Sequence, residues 1–183
     1  MRCSMKRLIT ILLAAIFVAL ASYSIYTVIQ FNKSNEEPGN IVTHNHPLND
    51  RQIGDVAVTS LHGQKKEITS ILKHDITVIN IWASWCDPCK KEMPELVTYG
   101  KEKPNHVGLI GFNVQDNPEK RDAFIDKYKP TYPMYTLDEA TMKRYKIYNI
   151  PTTLFVDKQG KVLKTYVGEL DQQKLEEIIR QIQ

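Results

Sequence analysis

Cysteine is scarce in this chain, with three residues among 183. Cys3 lies in the charged N-terminal flank, ahead of the first apolar run, so it is not a lipid-bearing cysteine exposed by signal cleavage. Its plain reading is a free cytosolic thiol, with reversible acylation as the alternative. Only Cys86 and Cys89 remain, too few for a disulfide framework that staples a small domain. Histidine is sparse as well. His44 and His46 invite a zinc site with the cysteine pair, but zinc needs four placed ligands and a flexible segment positions them poorly. Lys90, not histidine, follows Cys89, which excludes c-type haem attachment. No metal and no cofactor is expected, and no internal repeat or low-complexity tract appears.

An excess of one charge is also missing from most of the chain. Residues 1–31 carry Arg2, Lys6 and Arg7 and no acid. Removing these three from 24 basic and 21 acidic residues leaves the remainder formally neutral. The basic balance belongs wholly to that flank, which argues against a nucleic-acid partner. From Leu8 to Phe31 no charge occurs at all. As a helix these about 24 residues would reach roughly 36 Å, more than a bilayer's hydrocarbon core. With the basic flank before it, this run is expected to be a single-pass anchor in the cell membrane, with everything after Phe31 on the extracytoplasmic side. A cleaved signal peptide ending at Ala19-Leu20-Ala21 is the alternative, though apolar character continues past that site through Tyr23, Ile25, Tyr26, Val28 and Ile29. Either reading exports the domain to where thiols are oxidised, and two cysteines there suggest one working pair.

Three regions follow: an anchor over 1–31, a flexible polar tether over 32–50, and a folded domain over 51–183. Short strands over Val56 to Ser60 and around Glu67-Ile68, separated by His62-Gly63-Gln64, predict a hairpin. Ile76 to Trp82 reads as a buried strand, followed by a helix from about Asp87 to Lys101 with Pro94 as an internal kink. Val107 to Val114 is the next strand, then a helix from Pro118 to Tyr128 with Phe124 and Ile125 inward. A short strand, Met134 to Thr136, and a helix, Glu139 to Tyr145, come next. Thr152 to Val156 and Lys161 to Val167 form a hairpin through Asp157-Lys158-Gln159-Gly160. A last helix, Asp171 to Gln181, lines up Leu175, Ile178, Ile179 and Ile182. The β–α alternation implies a largely parallel sheet.

The chemistry centres on Trp85-Cys86-Asp87-Pro88-Cys89. A bond between residues three apart closes too small a loop to stabilise a fold appreciably, so exchange chemistry is the better use of the pair. Pro88 suits a helix's first turn. At that N-terminus the amides and dipole favour an anion, so Cys86 is expected to have a lowered pKa and to attack, with Cys89 resolving the mixed disulfide. Asp87 beside the thiolate works against this. Glu92, three residues beyond Cys89, is a candidate base for the Cys89 proton if it is buried, and a solvated surface glutamate if it is not. Pro151, within Ile150-Pro151-Thr152, enters a core strand where proline is unusual unless its bond is cis or the backbone is kept free for a partner; an ordinary turn proline is the plainer reading. Trp82 reads as core and Trp85 as a shield over the sulfurs.

Taken together, Trp82-Ala83-Ser84-Trp85-Cys86-Asp87-Pro88-Cys89-Lys90, Pro94 and Ile150-Pro151-Thr152 resemble the thioredoxin superfamily. Asn80, in place of a buried aspartate, and Glu92 resemble its membrane-anchored extracytoplasmic branch typified by TlpA and ResA. The resemblance runs from about Gly54 to the C-terminus. It implies an α/β three-layer sandwich, a mixed central sheet flanked by helices, with an N-terminal β-hairpin and a central αβ insertion. It implies a cis-proline loop at Ile150 and Pro151 and a bordering Gly168 that, with Trp85, receive substrate backbone. It further implies a reductant of exported cysteine-containing proteins such as apocytochrome c, monomeric, and recharged by a membrane thiol transporter of the CcdA or DsbD type. A thiol oxidase or isomerase would use the same fold. A copper-handling relative is less well matched, because such proteins resemble a Cys-x-x-x-Cys pair with a distant histidine.

Overall fold

The computed structural model describes residues 2–34 and 46–183. Most of the expected tether, His44 included, lies outside the described residues.

The first unit is a single helix, α1 (Arg2–Ser34). Its stretch Ile11–Val28 has a mean hydropathy of 2.1 and is long and apolar enough to cross a membrane. Two hydroxyls inside that stretch are satisfied by the helix itself: Ser22 Oγ donates to the Val18 carbonyl at 2.7 Å and Thr27 Oγ1 to that of Ser24 at 2.8 Å. A helix deprived of water requires such internal pairing.

The second unit is built on strands β1 (Ala57–Ser60), β2 (Lys65–Glu67), β3 (Ile76–Trp82), β4 (Val107–Asn113), β5 (Met134–Thr136), β6 (Thr152–Asp157) and β7 (Val162–Val167). They form one sheet in the order β2-β1-β5-β4-β3-β6-β7. Helices α2 (Asp87–Glu102), α3 (Pro118–Tyr128), α4 (Glu139–Arg144) and α5 (Gln172–Ile182) complete it. The sheet is mixed, and the parallel expectation fails for most pairings. Only β3–β4 and β4–β5 run parallel; β1–β2, β1–β5, β3–β6 and β6–β7 are antiparallel. The alternation of strand and helix patterns does not encode which sheet neighbour a strand will join, and β6 enters beside β3 in the reverse sense.

All seven residues of β3 are buried, as a β-branched run covered on both faces must be. Successive side chains alternate faces. Val78 and Trp82 join Met93, Leu96, Phe124, Leu175 and Ile178 on one side of the sheet, while Ile79 and Ile81 join Val58, Ile68, Met142 and Ile147 on the other. This is the three-layer arrangement. Asn80 shares the Val78 face, a polar residue at 0% exposure aimed toward the α2 side.

The fold begins earlier than residue 51. Leu48 is 1% exposed within the second apolar layer, and Asp50 N donates to Val162 O while Val162 N donates to Arg51 O. An isolated leucine in a polar stretch carries no periodic signal, so its burial was not readable from pattern. Pro94 lies inside α2 as expected. Phe124 is buried and Ile125 packs, partly covered, on the same cluster.

Candidate active site

β3 ends at Trp82, and the chain then turns into α2 with Cys86 as the N-cap residue. Cys86 and Cys89 are joined, with S–S 2.08 Å and Cα–Cα 5.3 Å. Their burial is unequal: Cys86 is 4% exposed and Cys89 is 0%. The Cys89 amide donates to Cys86 Sγ at 3.2 Å. A sulfur that caps a helix in this way is stabilised as an anion by the free amide and the dipole. Pro88 occupies the first turn, where its missing N–H costs nothing. Asp87 points to solvent and pairs with Lys90 Nζ at 2.6 Å, and that ammonium holds its carboxyl below the usual range. The pair therefore screens the Asp87 charge that adjoins Cys86.

Glu92 is not a solvated surface residue. It is 1% exposed. Its Oε1 accepts from Asn80 Nδ2 at 2.8 Å, and Oε2 accepts from the Leu170 amide at 3.0 Å. Burial pushes its pKa up to about 8, and the Asn80 and Leu170 hydrogen bonds oppose that rise only in part. A carboxyl with such a value exchanges protons near neutral pH.

Pro151 lies at the same end of the sheet. The Ile150-Pro151 bond is cis, and the register Ile81↔Thr152 sets Pro151 beside the exit of β3. Gly168 N donates to Pro151 O at 2.9 Å. Gly168 has φ 121, a conformation closed to residues with a Cβ. Ile150 is half-buried, whereas Trp85 is 53% exposed and Tyr148 is 72% exposed. Trp85 thus stands half-exposed beside the buried sulfurs, whereas Trp82, at 0%, stacks on Phe124 at 4.6 Å.

One part of the site was missed by sequence reasoning. Asp116, in the loop after β4, accepts from Ser84 N at 2.6 Å, Ser84 Oγ at 2.7 Å and Asn113 Nδ2 at 2.9 Å. Trp85 Nε1 donates to Gln115 O at 3.0 Å, and Gln115 has φ 47. These bonds tie the turn before Cys86 to the end of a neighbouring parallel strand, and they hold the Asp116 carboxyl below its ordinary range against the effect of burial. The available signal was position: polar loops at the carboxyl ends of parallel strands are where α/β sheets place their sites. His46, the one described member of the histidine pair, accepts from Leu48 N through Nδ1 at 3.2 Å.

The sequence profile of the Redoxin family matches residues 49–180. The chain belongs to the Redoxin family. The chain is 32% identical over 128 residues to the thiol-disulfide oxidoreductase ResA of Bacillus thuringiensis subsp. konkukian (strain 97-27), an alignment covering 68% of this chain and 73% of that protein. It is 30% identical over 139 residues to the thiol:disulfide interchange protein DsbE of Allochromatium vinosum, covering 74% and 76%. Among solved structures, StoA from Bacillus subtilis superposes with a TM-score of 0.58 at 28% identity, covering 69% of this chain and 98% of that one. The Redoxin domain is thioredoxin-like in fold, and the protein is a thiol-disulfide oxidoreductase.

Proposed function

We propose that this oxidoreductase is held at the cell membrane by α1 and reduces disulfides of exported proteins, apocytochrome c among them, on the extracytoplasmic side. The observation that carries this reading is Glu92, a buried carboxyl with a pKa of about 8 on the same helix as Cys89. In the reduced protein the Cys86 thiolate attacks one sulfur of a substrate disulfide, forming a mixed disulfide and expelling the other substrate sulfur as a thiolate. Glu92 takes the Cys89 proton. The Cys89 thiolate attacks Cys86 Sγ, releases the second substrate thiolate and leaves the Cys86–Cys89 disulfide, so two electrons pass to the substrate. The cis-Pro151 loop with Ile150, Gly168 and Trp85 forms the docking rim for extended substrate backbone. A membrane thiol transporter of the CcdA or DsbD type returns the electrons, and the protein works as a monomer.

The direction of flow is tested by equilibrating the full-length protein in detergent with glutathione or dithiothreitol buffers. A potential at or below about −230 mV supports the reductase, and one near about −120 mV makes the protein an oxidase. Capture of mixed disulfides by the Cys89→Ala variant identifies the substrate.

A further inference from the structure

Asn80 is fully buried in β3. Its Nδ2 donates to Glu92 Oε1 at 2.8 Å and to Thr153 Oγ1 at 3.3 Å, while Oδ1 has no hydrogen-bond partner among the described residues. The other carboxyl oxygen of Glu92, Oε2, accepts from the Leu170 amide, a donor that cannot change role. A proton taken up by Glu92 would oppose that fixed N–H on Oε2, so it settles on Oε1. There it meets a side-chain amide, which can present either a donor or an acceptor.

We propose that Asn80 is the positioning residue for proton transfer at Glu92: its amide donates to Oε1 while Glu92 is ionised and turns over to accept from Oε1–H once Glu92 is protonated. In the turned state Oδ1 receives the Glu92 hydroxyl and the Thr153 hydroxyl, since a threonine oxygen donates as readily as it accepts. One unpartnered amide atom is exchanged for the other, so the two states differ little in buried polar cost. A leucine in this place would leave Oε1 unpaired in both states. An aspartate would set two buried carboxyls to share one proton.

The inference rests on Glu92 as the proton carrier. The other titratable groups that act on Glu92 are few. Cys89, on the same helix, is held in the disulfide and does not titrate in this state. The Glu169 carboxylate raises its pKa from the loop before α5, and the Tyr132 hydroxyl, itself pushed up by burial and by Glu92, is engaged with Met93 Sδ at 3.2 Å.

Two measurements test it. In NMR titrations of the full-length oxidised protein in micelles between about pH 5 and 10, the Asn80 side-chain amide signals should move with the midpoint of Glu92 Cδ. They should stay flat in Glu92→Gln; amide signals that stay flat while wild-type Glu92 titrates overturn the proposal. In the second, resolution of a Cys86 mixed disulfide is followed against pH. Asn80→Leu removes the partner of both states, and since the lost bond to the charged carboxylate is the stronger one, the midpoint should rise by about one pH unit, with several-fold slower resolution at neutrality. An unshifted midpoint overturns the proposal, whereas a role limited to stability would lower the unfolding midpoint alone. A wild-type profile in Glu92→Gln instead sinks the proton-carrier reading, and the NMR result still decides the Asn80–Glu92 coupling.

Discussion

Glu92 sets the terms at the scale of single residues. Replacing it with glutamine preserves shape and removes the base, so resolution of a trapped mixed disulfide should slow by roughly 10²-fold, the lower range for general-base catalysis. Quenched-flow analysis of the mixed disulfide checks this. The same carboxyl carries a stability cost whose sign is fixed. Its folded pKa, about 8, lies above its ordinary value of 4.5, so between those values the folded state holds a proton that the unfolded state has lost. Wild-type stability therefore falls as pH rises through that window. Glu92→Gln should match wild type near pH 5 and gain on the order of a few kcal/mol over it by pH 9 in urea unfolding. The i, i+3 spacing from Cys89 was enough to nominate this residue. Its partners were not legible, because Asn80 comes from a strand 12 positions earlier and Leu170 contributes a backbone amide that has no sequence signature.

Among elements, the turn between β3 and α2 depends on a loop it does not adjoin in sequence. Asp116→Ala removes three hydrogen bonds to a charged acceptor and should destabilise the domain by about 2 kcal/mol, while releasing the Trp85 ring. Thermal unfolding and Trp85 fluorescence anisotropy report the two effects. The start of α3 offers a contrasting, purely local case. Asn117 Oδ1 accepts from the Glu119 and Lys120 amides at 2.9 and 3.2 Å, and Asn117→Ala should cost about 1 kcal/mol in denaturant titrations with no change in redox potential. The helix from Pro118 to Tyr128, read with Phe124 and Ile125 inward, matches the structure to the residue. The hairpin of β6 with β7 was readable from the turn between them, but no residue in Thr152–Asp157 records that the other neighbour of β6 will be β3 and not β5.

At the scale of the whole molecule, the proposed anchor and the Redoxin domain can be tested apart. Deleting residues 1–45 should leave disulfide exchange in solution unchanged and abolish association with lipid vesicles, as measured by flotation; full activity with retained flotation would place the membrane contact elsewhere. The apolar span within α1 was legible because length and the lack of charge alone mark it, whereas the onset of the fold at Leu48 required its packing to be seen. The sheet's outermost strand, β2, presents Lys65, Lys66 and Glu67, all exposed, on an edge with one neighbour. Under the proposed tethering, copies confined to a bilayer would meet one another in two dimensions, at local concentrations far above those of a freely diffusing protein. A bare hydrophobic edge would then seed sheet-to-sheet growth between neighbours, and a three-residue strand of solvated charged side chains offers such growth neither length nor apolar surface.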